Sequence, residues 1–325
     1  MYVMNVLIHE PLFASYVGLI ASGYELSDTK DNAVSDIIGD IREADFEENV
    51  KNYFSLARTE QSTVNPYWPR GSSISSASIF ITDDLSFESF HSYIEFEKTA
   101  ETSNQWESPD FISWIKMLPK WLKVIENDIS YKALWNKYRL ILESRLPAYR
   151  VSLEKAVAIL NEAGFHSETE RIIFVPNLLQ APQIADYVMK DGFLYVIMTS
   201  VDIVGMLHET LHPAVHLHRN EFGGFIEPRY FSCMIDEEKV LKYGFTTNTS
   251  TEKTHYIEEC LVRGVSASLA RNVTGFNMDE YCRWHSESGF LLVPSVVEFS
   301  KQLPPAKENI SLFVSQAIKY HLSEL

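Results

Sequence analysis

The stretch VGMLHETLHPAVHLH (Val204–His218) places four of the chain's ten histidines within eleven residues. At its centre, His208-Glu209-Thr210-Leu211-His212 matches the pattern HExxH. On a helix, residues i and i+4 lie one above the other, so both imidazoles leave the same face. Two neutral imidazoles at that separation can fill two corners of a tetrahedral zinc site. Glu209 is offset by one residue, and a carboxylate there can take a proton from a zinc-activated water. The helix itself is expected from the apolar stripe Ile203, Leu207, Leu211 and Ala214, with Ser200 or Asp202 available as its cap. With 10 His and 30 Glu in 325 positions, chance supplies about 0.03 such motifs per chain, so the surrounding sequence must carry the rest of the argument.

A catalytic zinc site takes a third protein ligand and keeps one position open. The helix expected over Thr251–Asn272 offers Glu258 and Glu259, which border the core-facing stripe Ile257, Leu261, Val265 and Leu269. Glu259 also has Arg263 four residues on, the spacing of an ordinary helix-surface ion pair. His218 has the spacing of the third histidine in HExxHxxGxxH, but Val215 occupies the glycine position, where a β-branched residue resists a positive φ. His216 continues the i, i+4, i+8 row at about 12 Å from His208 along a straight helix, unless Pro213 kinks it. Both read as neighbours of a site or as surface residues. Cys282 and His285 have a CxxH spacing with no second half, which reads as structural.

Upstream, Arg171–Leu178 reads as a strand, while Ala185–Lys190 and Phe193–Thr199 flank Asp191-Gly192, a dipeptide suited to a type I′ hairpin turn. A helix over Ser152–Ala163 should stop at Gly164. Downstream helices are expected over Arg229–Tyr243, Asp279–Ser286 and Pro305–Leu322. In the N-terminal part, helical spacing from Phe111 to Arg145 predicts two helices. A short strand is expected at Ser78–Thr82 and a helix around Ser86–Phe96. The polar stretches Thr59–Ser78 and Lys98–Asp110 read as linkers or surface loops. The fold class is therefore α+β: a mixed N-terminal region, 1–150, and a region 151–325 in which a small sheet precedes the HExxH helix and further helices.

Composition limits the partners. Apolar residues make up 46% of the chain, enough for a sizeable core, and the formal charge is −16. Residues 1–150 and 151–325 each carry 14 basic and 22 acidic side chains, so no basic patch favours nucleic acid or an anionic membrane surface. The start, MYVMNVLIHEPLFASYVGLIASG, lacks early Lys or Arg and is interrupted by His9 and Glu10, so it reads as part of a folded domain and not as an export signal. No uncharged apolar run reaches about 18 residues, so no membrane span is expected. Three cysteines without paired spacing point to a reducing compartment, and the expected location is cytoplasmic.

Taken with Glu259-Cys260-Leu261-Val262-Arg263, the HExxH stretch resembles the zincin metallopeptidases, specifically the gluzincin type, in which a glutamate on a later helix completes the metal site. The likeness covers roughly residues 170–272. It implies Zn2+ bound by His208, His212 and Glu259, with Glu209 as general base acting on a peptide or protein substrate. It also implies that Phe193–Thr199 is a sheet edge along which an extended substrate lies, and that a Tyr or His donor faces the general base, for which Tyr256, His255, Tyr281 and His285 are the candidates. Two other readings are open at this point: a non-catalytic binding or regulatory protein that keeps the zincin architecture, and a metal-free α+β protein in which the motif is accidental.

Overall fold

The strands near residue 170 recruit a partner from the other end of the chain. In the computed structural model, which describes residues 5–25, 31–59, 66–68, 70–100, 108–165, 171–182 and 184–324, the sheet begins with β1, Asn5–Val6. Helices α1 to α8 follow: Glu10–Ala21, Asn32–Glu43, Glu48–Ser55, Arg70–Ile79, Phe90–Ala100, Pro109–Lys116, Leu118–Glu126 and Tyr131–Glu162. Strands β2, Arg171–Pro176, β3, Ala185–Lys190, and β4, Phe193–Met198, complete a four-stranded sheet in the order β1-β2-β4-β3. β1, β2 and β4 run parallel, and β3 is antiparallel to β4. Asp191 and Gly192 both have positive φ, 52° and 74°, as a type I′ turn between β3 and β4 requires. Because β4 is hydrogen-bonded on both sides, Phe193–Thr199 is not the free edge expected from the sequence; the edges are β1 and β3.

The chain divides into two compact units. Of the described residues, the first takes those within 5–59, 66–151 and 171–201, and the second those within 152–165 and 202–324. The strands after residue 170 therefore group with the N-terminal residues and not, as expected, with the helices that follow them. Pairing of Asn5 with Ile173 and Val6 with Phe174, together with the packing of β3 on α4 and α5, ties them there.

Within the first unit, α1 is buried along its whole length from Pro11 to Ile20, the behaviour of a helix that is apolar all round. Phe13 packs among the rings of Tyr131, Trp135 and Tyr138 at centroid distances of 5.8, 5.2 and 4.5 Å. The stretch Thr59–Ser78 corrects the expectation of a loop, since its described C-terminal part is helix α4 and is buried. Serine hydroxyls there return hydrogen bonds to the preceding turn, Ser75 to Gly71 O and Ser78 to Ile74 O. Small side chains also let α1 approach closely, with Ser15 Oγ 2.8 Å from Ser78 Oγ and Tyr16 Oη 3.0 Å from Ser75 Oγ. The strand expected at Ser78–Thr82 shrinks to one bridge between Ile81 and Phe87, because α4 runs on through Ile79. The helix expected from Ser86 begins only at Phe90. Most of the linker expected at Lys98–Asp110 lies outside the described residues. The two helices expected between Phe111 and Arg145 become the short α6 and α7, separated at Met117 ahead of Pro119, and the long α8, which continues through Pro147 and absorbs Ser152–Ala163.

The second unit is helical. α9, Ile203–His216, leads into a 3-10 turn, Arg219–Phe225, then α10, Pro228–Met234, and α11, Glu237–Leu241. The helix expected over Arg229–Tyr243 is split because Ile235 is extended and bridges Phe290. α12, Ser250–Leu269, is followed by α13, Met278–Glu287, α14, Leu292–Phe299, and α15, Ile310–Ser323. α14 is an addition to the sequence expectations. Among the described residues, no helix is long and apolar enough to cross a membrane.

Gly264 sets how closely α12 meets α14. A Cβ at that position would lie 2.4 Å from Val296 Cγ1 and 2.5 Å from Val296 Cβ, and a β-branched side chain has little freedom to move away. Gly264→Ala should therefore cost about 1–3 kcal/mol by overpacking, read as a lower urea midpoint, and Val296→Ala in the same chain should restore much of it. An unchanged midpoint in the single variant would show that the two helices separate freely.

Candidate metal centre

Asp202 starts the helix that carries HExxH. Its carboxylate accepts from the backbone N–H groups of Val204 and Gly205. α9 then runs unbroken through Pro213 to His216, burying Leu207, Leu211 and Val215 on one side. α12 begins with a capping box, in which Thr249 Oγ1 accepts from Glu252 N and the Glu252 carboxylate accepts from Thr249 N. α12 packs against α9 and brings Glu258 and Glu259, 1% and 6% exposed, to the histidines.

The two glutamates occupy opposite edges of one imidazole. Nε2 of His208 and Nε2 of His212 are 3.0 Å apart. Glu259 Oε1 is 3.3 Å from the first, and Glu259 Oε2 is 3.4 Å from the second. Neighbouring ligand atoms of a tetrahedral zinc with bonds of 2.0–2.1 Å are about 3.3 Å apart; here two nitrogens and one carboxylate form a triangle of groups in which each nitrogen faces a different carboxylate oxygen at about that spacing. Among the described residues, His208, His212 and Glu259 form the one group of His, Cys, Asp and Glu side chains able to converge on a metal, with ligand atoms within 4.8 Å of one another. Glu209, 5% exposed, has Oε1 3.7 Å from His208 Nε2, beside the triangle.

Glu258 faces the other way. Its Oε1 is 3.3 Å from His212 Nδ1, and its Oε2 accepts from Arg219 Nε at 2.8 Å and lies 3.3 Å from His216 Nδ1. His216, at the end of the i, i+4, i+8 row, thus meets this carboxylate and not the triangle. His218 Nδ1 pairs with the exposed Glu221 at 2.9 Å. Arg263 Nη2 donates to Glu259 Oε1, so the i+4 ion pair expected from spacing coexists with the histidine contacts. Of the donor candidates, Tyr256 is committed to structure, its hydroxyl donating to the carbonyls of Met234 and Gly289. His255 Nδ1 accepts from Arg219 Nη2 at 3.3 Å. His285 Nδ1 lies 3.4 Å from Arg263 Nη1, and the Tyr281 hydroxyl is 3.4 Å from the Arg263 carbonyl. His285 is therefore turned to Arg263, which bears on its CxxH spacing with Cys282. Arg219 was missed from sequence, although it directly follows the histidine-rich stretch; no spacing rule marks a residue whose partner is 39 positions away.

Charge separates the histidines. Burial presses His208 down to about 4, against the pull of Glu259. Burial also works against charge on His212, but its hydrogen bond to Glu258 and the charges of Glu259 and Glu209 outweigh it and push its pKa up to about 9. Burial would raise both α12 carboxyls, yet the two are held well below the usual carboxylate range: Glu258 by His212, His216 and Arg219, and Glu259 by Arg263, His208 and His212. His285 is pressed down to about 2, by burial first and then by Arg263 and His208. The metal-free site at neutral pH therefore holds one protonated imidazole, His212, between ionised glutamates.

Comparisons with protein-family models, with curated proteins and with solved structures find no match to this chain. The geometry of the site stands on its own.

A metal at the triangle must displace the Nε2 proton of His212. Since that pKa is raised to about 9, zinc affinity should climb about tenfold per pH unit up to pH ~9 and level off above it, while His208 competes for a second proton only below about 4. Calorimetric titration of zinc at pH 7 in buffers of different ionisation enthalpy should report about one proton released per metal bound. Release of none would contradict the assignment of that proton.

Proposed function

We propose that the chain is a zinc-dependent hydrolase of the zincin type that cleaves amide bonds in peptide or protein substrates, with Glu209 as general base. The observation that carries this reading is the convergence of His208 Nε2, His212 Nε2 and the Glu259 carboxylate: the nitrogens are 3.0 Å apart and each faces one carboxylate oxygen, at 3.3 and 3.4 Å. His208, His212 and Glu259 would hold the zinc and leave its fourth position open, the arrangement of catalytic rather than structural sites. A bound zinc supplies Lewis acidity, which acidifies a water and polarises a carbonyl.

Glu209 contributes the proton chemistry. It lies next to His208 in the chain, buried at the border of the triangle, with Oε1 3.7 Å from His208 Nε2. As a carboxylate it removes a proton from the attacking water, and as the acid it returns that proton to the leaving amine. Burial keeps both transfers out of bulk solvent. Arg263, donating to Glu259 Oε1, keeps that ligand ionised. The intact Glu209 favours turnover over a purely binding role, because a site freed from catalysis has no chemical need for a carboxylate there.

Glu209→Gln separates the two. With a fluorogenic peptide library as substrate, zinc content should remain at the wild-type level while cleavage falls about 10²–10⁴-fold, the usual worth of a general base. Undiminished cleavage in Glu209→Gln would rule out this role. Full zinc occupancy with no peptide cleaved by the wild-type chain would favour the non-catalytic reading.

A further inference from the structure

We propose that Glu258 is a positioning residue for the metal centre: from the edge opposite the metal it fixes the tautomer and ring plane of His212, and Arg219 in turn holds the carboxylate in place. The inference rests on the zinc-site reading above. Glu258 and Glu259 are consecutive on α12, so their side chains leave the helix about 100° apart. One turn of helix thereby presents one carboxylate to the Nε2 atoms of the histidine pair and the other to the Nδ1 edge of His212.

The two oxygens of Glu258 divide the work. Oε1 accepts from His212 Nδ1 at 3.3 Å. A neutral imidazole that donates from Nδ1 carries its lone pair on Nε2, the atom aimed at the triangle. Oε2 meets Arg219 Nε at 2.8 Å and His216 Nδ1 at 3.3 Å. Arg219 is itself anchored, with Nη2 on His255 Nδ1 at 3.3 Å, and the His255 ring stacks on Phe245 with planes 19° apart. The clamp thus draws on α9, the 3-10 turn that follows it, and α12.

A packing role alone does not account for this arrangement. Glu258 is only 1% exposed, and burying a carboxylate is costly unless charged donors surround it. An apolar residue would fill the same volume without that cost. A carboxylate behind a metal-bound imidazole makes the ring a more basic and better oriented ligand, and removing such a partner typically lowers metal affinity 10–100-fold.

The test uses the full chain with Glu258→Gln and Glu258→Asp. Gln keeps the size but loses the charge; Asp keeps a charged partner for Arg219 while drawing the oxygen back by one methylene. Zinc affinity would be measured by chelator competition, the visible spectrum of the Co2+ form would report ligand geometry, and nitrogen-15 NMR of the zinc form would report the His212 tautomer. Both variants should bind zinc 10–100-fold more weakly, with altered cobalt bands and loss of the single Nδ1–H tautomer; without metal, Glu258→Gln should also melt lower, because Arg219 loses its buried partner, and Glu258→Asp less so. Should Glu258→Gln fail to fold, Glu258→Asp carries the test. Wild-type affinity, cobalt spectrum and tautomer in the variants would overturn the role of Glu258 and leave the metal site standing. A wild-type chain that takes up neither zinc nor cobalt would instead overturn the metal centre itself.

Discussion

Two ionised carboxylates on adjacent residues of one buried helix are the constraint around which the second unit is built. Glu258 and Glu259 are almost wholly removed from water, and each needs charged donors at close range to remain ionised there. Glu259 finds Arg263 on its own helix and the two Nε2 atoms of α9. Glu258 finds Arg219, His212 and His216. Zinc in place of the His212 proton would leave the site with one additional positive charge, available to an electron-rich carbonyl or water.

The remaining packing fixes α12 against that requirement. The capping box at Thr249 and Glu252 holds its start. Further along, Gly264 lets α14 come against it, so that the buried Val296 lies where a Cβ would otherwise be. Between these, Tyr256 lies parallel to Phe290 and sends its hydroxyl to two carbonyls, one just after α13 and one at the end of α10. Arg263 lies over the other aromatic partner of this group, 4.4 Å from the Phe290 centroid, which orients its guanidinium toward Glu259. The position of the acidic pair is thus supported from α10 to α14 as well as by the packing of α12 on α9.

What was legible in the sequence was local. HExxH at i and i+4, the Asp202 cap, the Asp191-Gly192 turn and the two glutamates bordering an apolar stripe all depend on spacings of a few residues, and each has its place in the structure. What was not legible depends on distant partners. The sheet takes its first strand from residues 5–6, which pair with 173–174, so no reading of the 170–200 segment could assign it to the N-terminal unit. The serine-rich stretch at 70–79 has the composition of a loop, yet α1 buries it as a helix, because small hydroxylated side chains can bond to their own backbone and admit a close neighbour. The roles of Glu258 and Glu259 could not be separated by helical phase alone; the difference lies in which edge of His212 each reaches, and His212, His216 and Arg219 together hold Glu258 ionised.

The central claim is that His208, His212 and Glu259 share one metal ion. Diffraction data collected on either side of the zinc absorption edge, from crystals grown after addition of one equivalent of zinc, test it most directly. The account predicts a single strong anomalous peak about 2.0–2.1 Å from His208 Nε2, His212 Nε2 and a Glu259 oxygen, with Glu258 turned to His212 Nδ1 and outside the coordination sphere. An absence of any peak at that triangle, or a peak ligated by Glu258 in place of Glu259, would contradict it.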